Sequence, residues 1–136
     1  MSVTDLKSPR LRQGEQTRRA VLSDEHVERV EAATTDFDAP FQDLITEAAW
    51  GHLWSRTDWS KRDRSIVTIA LLAALGHTEE LAMHVRATVR TGASEADVRE
   101  ALLHVAIYAG VPAANTAFRV AKQAFAEMQM EKRPNE

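Results

Sequence analysis

The chain has 136 residues, enough for one domain with a single hydrophobic core and too few for two. Hydrophobic residues make up 44% of it and charged residues 27%, as is typical of a soluble globular protein, and the formal charge of −3 gives no general case for nucleic-acid binding. The chain contains no cysteine, which excludes disulfides, thiolate nucleophiles and thiolate metal sites.

The longest apolar runs reach about half of the roughly 20 residues that a membrane-spanning helix needs. Basic residues cluster in the first 22 positions, where they fit a tail, or an arm packed on a neighbouring subunit, better than a phosphate contact. We therefore expect a cytoplasmic protein that binds neither a membrane nor a nucleic acid.

Periodic apolar patterns predict helices along the chain and no strand. The polar residues 1–16, with Pro9 and Gly14, predict a flexible N-terminal arm, and residues 17–130 predict a single helical domain. Helix start signals follow in chain order at Ser23, Asp38 with Pro40, Ser60 with Asp63, Thr78, Ser94 with Asp97, and Pro112.

From these starts the predicted helices cover about 24–33, 40–54, 61–75, 79–91, 95–109 and 112–128, and glycines at 76, 92 and 110 end three of them. The short connections predict an all-α bundle of six to seven helices. Residues 66–75 contain one polar side chain, so we expect this helix to be buried on all sides. Segments 41–54 and 112–128 carry more apolar side chains than a domain of this size is expected to bury alone, which predicts a homo-oligomer.

Glu80 and His84 are four residues apart, so they share one face of a helix directly after the aliphatic one. A carboxylate in that position can orient the imidazole or raise its pKa, as a general acid near neutral pH requires. His77 precedes this helix, close to its free N–H groups. The same pattern also describes a surface Glu–His pair beside a helix cap.

Two further pairs repeat the four-residue spacing, His104 with Tyr108 and Asn115 with Arg119. His104 lies among apolar residues, as a hydrogen-bonded core histidine would, and Arg119 is able either to clamp a carboxylate or to extend to solvent. Arg64 lies in the first turn of the aliphatic helix, where a cation opposes the helix dipole. That placement indicates a binding role, although charged runs of this kind are also common at solvated helix starts.

Common cofactor signatures, such as the glycine-rich dinucleotide and phosphate loops and the paired-histidine zinc motif, are absent. The residues His77, Glu80 and His84 offer a zinc-binding alternative, but their spacing is not that of a standard site. The sequence therefore predicts no metal.

Three segments, ITEAAWGHLW, RDRSIVTIALLAALGHTEELAMHVRATVRTGAS and EALLHVAIYAGVPAANTAFRVA, together resemble the 4-carboxymuconolactone decarboxylases. The resemblance covers roughly residues 18 to 126 and implies the all-helical fold of the alkylhydroperoxidase-D-like superfamily. Redox members of that superfamily carry a CxxC followed by a histidine, at places that correspond here to His77, Glu80 and His84. Because the thiols are missing, thiol-dependent peroxide reduction is excluded and the decarboxylase branch is favoured.

The resemblance implies a cofactor-independent carboxy-lyase, assembled as a trimer or hexamer, that converts 4-carboxymuconolactone to 3-oxoadipate enol-lactone and CO2 in the protocatechuate branch of the 3-oxoadipate pathway. On this hypothesis His84 donates the proton, and Glu80 orients it or crowds the departing carboxylate. The remaining groups contact the substrate: Arg64, His77 and Arg119 as anion binders, and His104 and Tyr108 as donors to the lactone oxygen. Two alternatives stay open, a related lactone or carboxylate lyase and a non-catalytic oligomeric binding or stress protein on the same fold.

Overall fold

The computed structural model describes residues 7–132, which form eight α-helices, one π-helical segment and no strand. In chain order the elements are α1 (Pro9–Leu22), α2 (Asp24–Ala33), α3 (Ala39–Ile45), the π segment (Thr46–Leu53), α4 (Lys61–Leu75), α5 (Thr78–Arg86), α6 (Thr88–Thr91), α7 (Glu95–Tyr108) and α8 (Val111–Lys132). The all-α prediction is confirmed. The chain divides into two compact units, Met1–Trp59 and Ser60–Glu136, called here the N-terminal unit and the C-terminal unit.

The flexible arm predicted for residues 1–16 is helical from Pro9 onward, and residues 1–6 lie outside the described part of the chain. The helix α1 begins here because the Ser8 hydroxyl accepts a hydrogen bond from the Leu11 amide at 3.0 Å and because Pro9 occupies its first turn. Residue 17, the predicted start of the helical domain, therefore falls inside α1.

Two glycines set the contact between α1 and the π segment. A Cβ atom on Gly14 would overlap the carbonyl oxygen of Thr46, and one on Gly51 would lie 2.5 Å from the carbonyl oxygen of Arg10. The two backbones thus approach as closely as glycine alone permits. Gly14 contributed to the prediction of a flexible arm, but in the structure it allows α1 to pack closely against the π segment.

The helix predicted over 40–54 divides into α3 and the π segment. The π geometry is seen where the Trp54 amide donates to the Ala49 carbonyl, five residues earlier, at 2.9 Å. Trp50 and Trp54 are both buried, with ring centroids 5.2 Å apart, and they complete the core of the N-terminal unit with Val21 and Val27. Local widening of the helix is therefore coupled to the packing of two large aromatic side chains.

The C-terminal unit follows the predicted cap signals closely. The Ser60 hydroxyl accepts from the Asp63 amide at 3.1 Å, and Ser94 with Asp97 forms a reciprocal capping box. Gly76 and Gly92 adopt left-handed conformations at the ends of α4 and α6. Some helix bounds differ. The helices α5 and α8 each begin one residue earlier than predicted, α8 extends to Lys132, and the predicted helix 79–91 breaks at Ala87 into α5 and α6.

The core of this unit contains large aliphatic side chains from α4, α5 and α7 packed against alanines of α8, namely Ile69, Leu81, Val85, Val98, Leu102, Ala114, Ala117, Ala121 and Ala124. The expectation that residues 66–75 are buried on all sides is wrong. Val67, Leu71 and Leu75 form an exposed stripe at four-residue spacing, because only the face that includes Ile69 packs inward. None of the helices within residues 7–132 is both long and apolar enough to span a membrane.

Candidate active site

The start of α4 carries a buried cation. Arg64 is 9% exposed in the first turn of the helix, just inside the Ser60 cap. Burial, and then the positive charge of Arg64, lower the pKa of the neighbouring Lys61 amine. A buried guanidinium offers planar N–H donors of the kind that suit a carboxylate ligand.

The helix α5 places its two predicted catalytic groups in different environments. His84 is 7% exposed and lies between the core residues Leu81 and Val85, whereas Glu80, one turn earlier, is exposed. His77 holds the N-cap position without a side-chain capping bond and is also exposed. An imidazole in the protein interior is shielded from bulk water, as a group that transfers a proton to one specific atom should be.

The helices α4 and α5 are joined by the two residues Gly76 and His77 and pack against each other, so they run antiparallel. The helix α6, which follows α5 along the chain, also packs against α4. Arg64 lies in the first turn of α4 and His84 in the last turn of α5, so each lies in the half of its helix that is remote from the Gly76–His77 connection. Of the predicted groups, these are the two that the structure buries.

Three buried polar residues accompany this pair and were not predicted: Ser65, Thr88 and Thr91. Ser65 is fully buried, and its hydroxyl has no hydrogen-bond partner among the described residues. Thr88 donates its hydroxyl proton to the Val85 carbonyl at 2.6 Å. In the sequence, the one signal for Ser65 was its position directly before an aliphatic run, and this pattern is too common to mark a site.

The outer faces of α7 and α8 carry the other predicted groups. The His104 and Tyr108 rings stack with centroids 6.3 Å apart, and both side chains are exposed, with Tyr108 at 85%. The expected placement of His104 in the core is therefore wrong, because α7 turns Leu102 and Val105 inward. Arg119 is exposed on α8, and so is Asn115 one turn before it.

The seven predicted site residues thus separate into two buried ones, Arg64 and His84, and five exposed ones, His77, Glu80, His104, Tyr108 and Arg119. No three histidine, aspartate or glutamate side chains within residues 7–132 cluster closely enough to hold a metal ion. The zinc-binding alternative on His77, Glu80 and His84 therefore lacks the required geometry.

Residues 39–123 match the sequence model of the carboxymuconolactone decarboxylase family. The chain is 41% identical over 119 residues to the 4-carboxymuconolactone decarboxylase of Acinetobacter baylyi, a match that covers 88% of this chain and 89% of that protein. It is also 36% identical over 116 residues to the nitrosuccinic acid decarboxylase npaB of Metarhizium robertsii, covering 85% of this chain and 81% of the relative. The resemblance stated from the sequence is confirmed, and all seven predicted site residues lie inside the matched range.

Proposed function

The chain belongs to the carboxymuconolactone decarboxylase family, and from this premise we propose that it converts 4-carboxymuconolactone to 3-oxoadipate enol-lactone and CO2 without a cofactor. The observation that carries the proposal is the 41% identity, along 88% of the chain, to a relative named for this reaction. The second relative is likewise named as a decarboxylase. The interior position of His84 supports a proton-transfer step at this imidazole.

The proposed substrate contains its own electron acceptor. Its unsaturated lactone ring carries a carboxylate and an acetate arm on the carbon next to the ring oxygen. When the bond to the carboxylate breaks, the electron pair moves through the ring double bond to the lactone carbonyl, and CO2 leaves. A proton then adds to the ring carbon beside that carbonyl, so the reaction consumes one proton and needs no external electron sink.

His84 is the proposed proton donor for that ring carbon, since its imidazole is held in the interior at the end of α5. Arg64, the buried cation in the first turn of α4, is the proposed partner of a substrate carboxylate. Glu80 stands one turn from His84 and is proposed either to orient it or to crowd the departing carboxylate. Orientation of the imidazole favours the transition state, whereas crowding of the carboxylate raises the free energy of the bound substrate.

If the five exposed groups also contact the substrate, a further surface must shield them from solvent. We propose that a neighbouring subunit supplies it, in a homo-oligomer of three or six chains. Three large apolar side chains, Leu103, Ile107 and Val111, are exposed beside His104 and Tyr108 at the end of α7 and the start of α8. An apolar surface next to polar candidate groups is the composition expected of a subunit interface that encloses a site.

In the assembled enzyme His104 and Tyr108 would donate to the lactone oxygen, while His77 and Arg119 would bind the acetate arm. Light scattering tests the assembly, and Ile107→Asp is expected to lower both the particle mass and the turnover. A monomeric wild-type enzyme at working concentration would contradict it. We place the enzyme in the cytoplasm, with a small lactone dicarboxylate as its partner.

A second candidate substrate is suggested by the Metarhizium relative, which is named for nitrosuccinic acid. Nitrosuccinate and carboxymuconolactone share a succinate unit, in which the carbon that bears the departing carboxylate also bears a CH2–carboxylate arm and an electron acceptor. In nitrosuccinate the acceptor is the nitro group, which holds the electron pair as a nitronate until a proton returns it to carbon. One site that binds the succinate unit and donates a proton would serve both reactions.

The experiment is to follow CO2 release from freshly generated carboxymuconolactone with purified, chelator-treated protein, and in parallel from nitrosuccinate. We expect turnover of the lactone at full rate after chelation. Turnover of nitrosuccinate alone would replace the first proposal by the second. Release from neither compound would favour the non-catalytic binding protein.

A further inference from the structure

The N-terminal unit contains a pocket that the proposed reaction does not use. It has a volume of about 260 Å³ and lies between α1, α2 and the α3 region, where Arg18, Gln42 and Thr46 line one side and Val27 and Val30 another. A cavity of about 150 Å³ accommodates benzene. This pocket therefore has room for a small organic molecule with a polar group attached.

Arg18 is the chemically distinctive residue in this pocket. It is 8% exposed, and burial lowers the pKa of its guanidinium. One terminal nitrogen donates to the Thr46 hydroxyl at 3.2 Å and the other to the Gln42 side-chain oxygen at 3.1 Å. Its Nε–H has no hydrogen-bond acceptor among the described residues. The guanidinium thus has neutral hydrogen-bond partners and unused donor capacity, although a buried cation is most stable beside a carboxylate.

Charged pairs occupy the edge of the pocket. Lys7 bonds to Glu15 at 2.5 Å. Arg19 bonds to Asp24 at 3.1 Å and to Glu31 at 3.4 Å, so most rim charges are matched locally. Glu31 also acts on Arg18 through space, and the exposed Asp43 lines the pocket. Neither carboxylate hydrogen-bonds to Arg18, whose bonds within residues 7–132 go to Gln42 and Thr46.

We propose that this pocket binds a small organic monocarboxylate, with its carboxylate on Arg18 and its apolar body against Val27, Val30 and Ala39. A carboxylate accepts N–H bonds from a guanidinium, and each terminal nitrogen of Arg18 carries a second N–H beside the one that it donates to Thr46 or Gln42. The apolar wall on α2 favours a ring or a short hydrocarbon chain over a free inorganic anion. This site is independent of the proposed decarboxylation, because every residue assigned to that reaction lies in the C-terminal unit.

Benzoate is the probe, since it combines one carboxylate with an apolar ring of suitable size. The full-length protein is titrated with benzoate while the methyl signals of Val27 and Val30 are followed by NMR. We expect saturable shifts at both valines in the wild type. The affinity should fall about 10- to 100-fold in Arg18→Met, because a hydrogen-bonded charge partner is lost. Arg12→Met, which removes the same charge from the same helix outside the pocket, should bind like the wild type.

If Arg18→Met does not fold, Ala39→Leu keeps the cation and fills the pocket, and we expect it to abolish the benzoate shifts. Shifts that persist unchanged in either folded variant would overturn the proposal. So would a wild-type titration that gives no saturable shift at Val27 and Val30 up to millimolar benzoate. The decarboxylase assay is unaffected by any of these outcomes, so the two proposals fail separately.

Discussion

The two compact units each bury one arginine, but they bury it at different kinds of position. Arg18 lies in the second half of α1 and donates hydrogen bonds to Thr46 and Gln42 of its own unit. Arg64 lies in the first turn of α4, where the helix dipole disfavours a cation. The position of Arg18 joins three elements of the N-terminal unit, whereas the position of Arg64 is opposed by the helix dipole.

The two units therefore bury their polar groups in different settings. In the N-terminal unit the backbones of α1 and the π segment meet at Gly14 and Gly51, and burial follows from close packing. In the C-terminal unit the buried polar groups include Arg64 and His84, and the core face of α8 is built from alanine. We therefore expect variants of the close contact between α1 and the π segment to change folding, and variants of Arg64 and His84 to change turnover.

Among the charge and packing variants of the two units, the largest expected effect is that of Arg64→Met. If Arg64 pairs with a substrate carboxylate, its loss removes a charged hydrogen bond of about 1.5–3 kcal/mol, so kcat/KM should fall about 10- to 100-fold. Steady-state kinetics of CO2 release measures this. Arg62→Met is the matched control, because Arg62 is two residues away and its exposed side chain pairs with Asp97. Equal kinetic losses in both variants would remove the special role of Arg64.

A smaller effect, on folding rather than turnover, is expected for Gly14→Ala. The added methyl group would overlap the Thr46 carbonyl oxygen, and relief requires α1 and the π segment to separate. Overpacking of this kind costs about 1–3 kcal/mol. Chemical denaturation should show this loss, with Gln16→Ala on the exposed side of α1 as the control. An unchanged free energy of unfolding would show that the two backbones are free to move apart.

The smallest effect is a pH dependence at the start of α7. Hydrogen bonds from the Ser94 amide and then from Arg62 lower the pKa of the Asp97 carboxyl below its ordinary value. The folded state therefore binds this proton less readily than the unfolded state. The stabilisation is present above the ordinary pKa and disappears as the pH falls through the lowered one. Thermal unfolding of wild type and Asp97→Asn should show a Tm difference at neutral pH that shrinks in acid, and a difference independent of pH would contradict this assignment.

Local signals predicted the C-terminal unit well, because Ser60 with Asp63 and Ser94 with Asp97 act within one helical turn. The helix α1 was missed although its start at Ser8 and Pro9 is also local, because Pro9 and Gly14 were interpreted as marks of a flexible arm. The π segment was missed as well, and the close contact between Gly14 and Thr46 joins positions 32 apart in the chain. The same distinction applies to the candidate site. The spacing of Glu80 and His84 was visible in the sequence, but their different exposure was not, because it depends on how α5 packs in the unit.

Turnover of His84→Gln tests most directly whether this interior imidazole protonates the ring. We expect kcat to fall about 10²–10⁴-fold, as for loss of a general acid, with helix content and particle mass retained. His52→Gln, an exposed histidine of the π segment, should keep wild-type turnover. A folded, correctly assembled His84→Gln enzyme that releases CO2 at the wild-type rate would contradict the assignment.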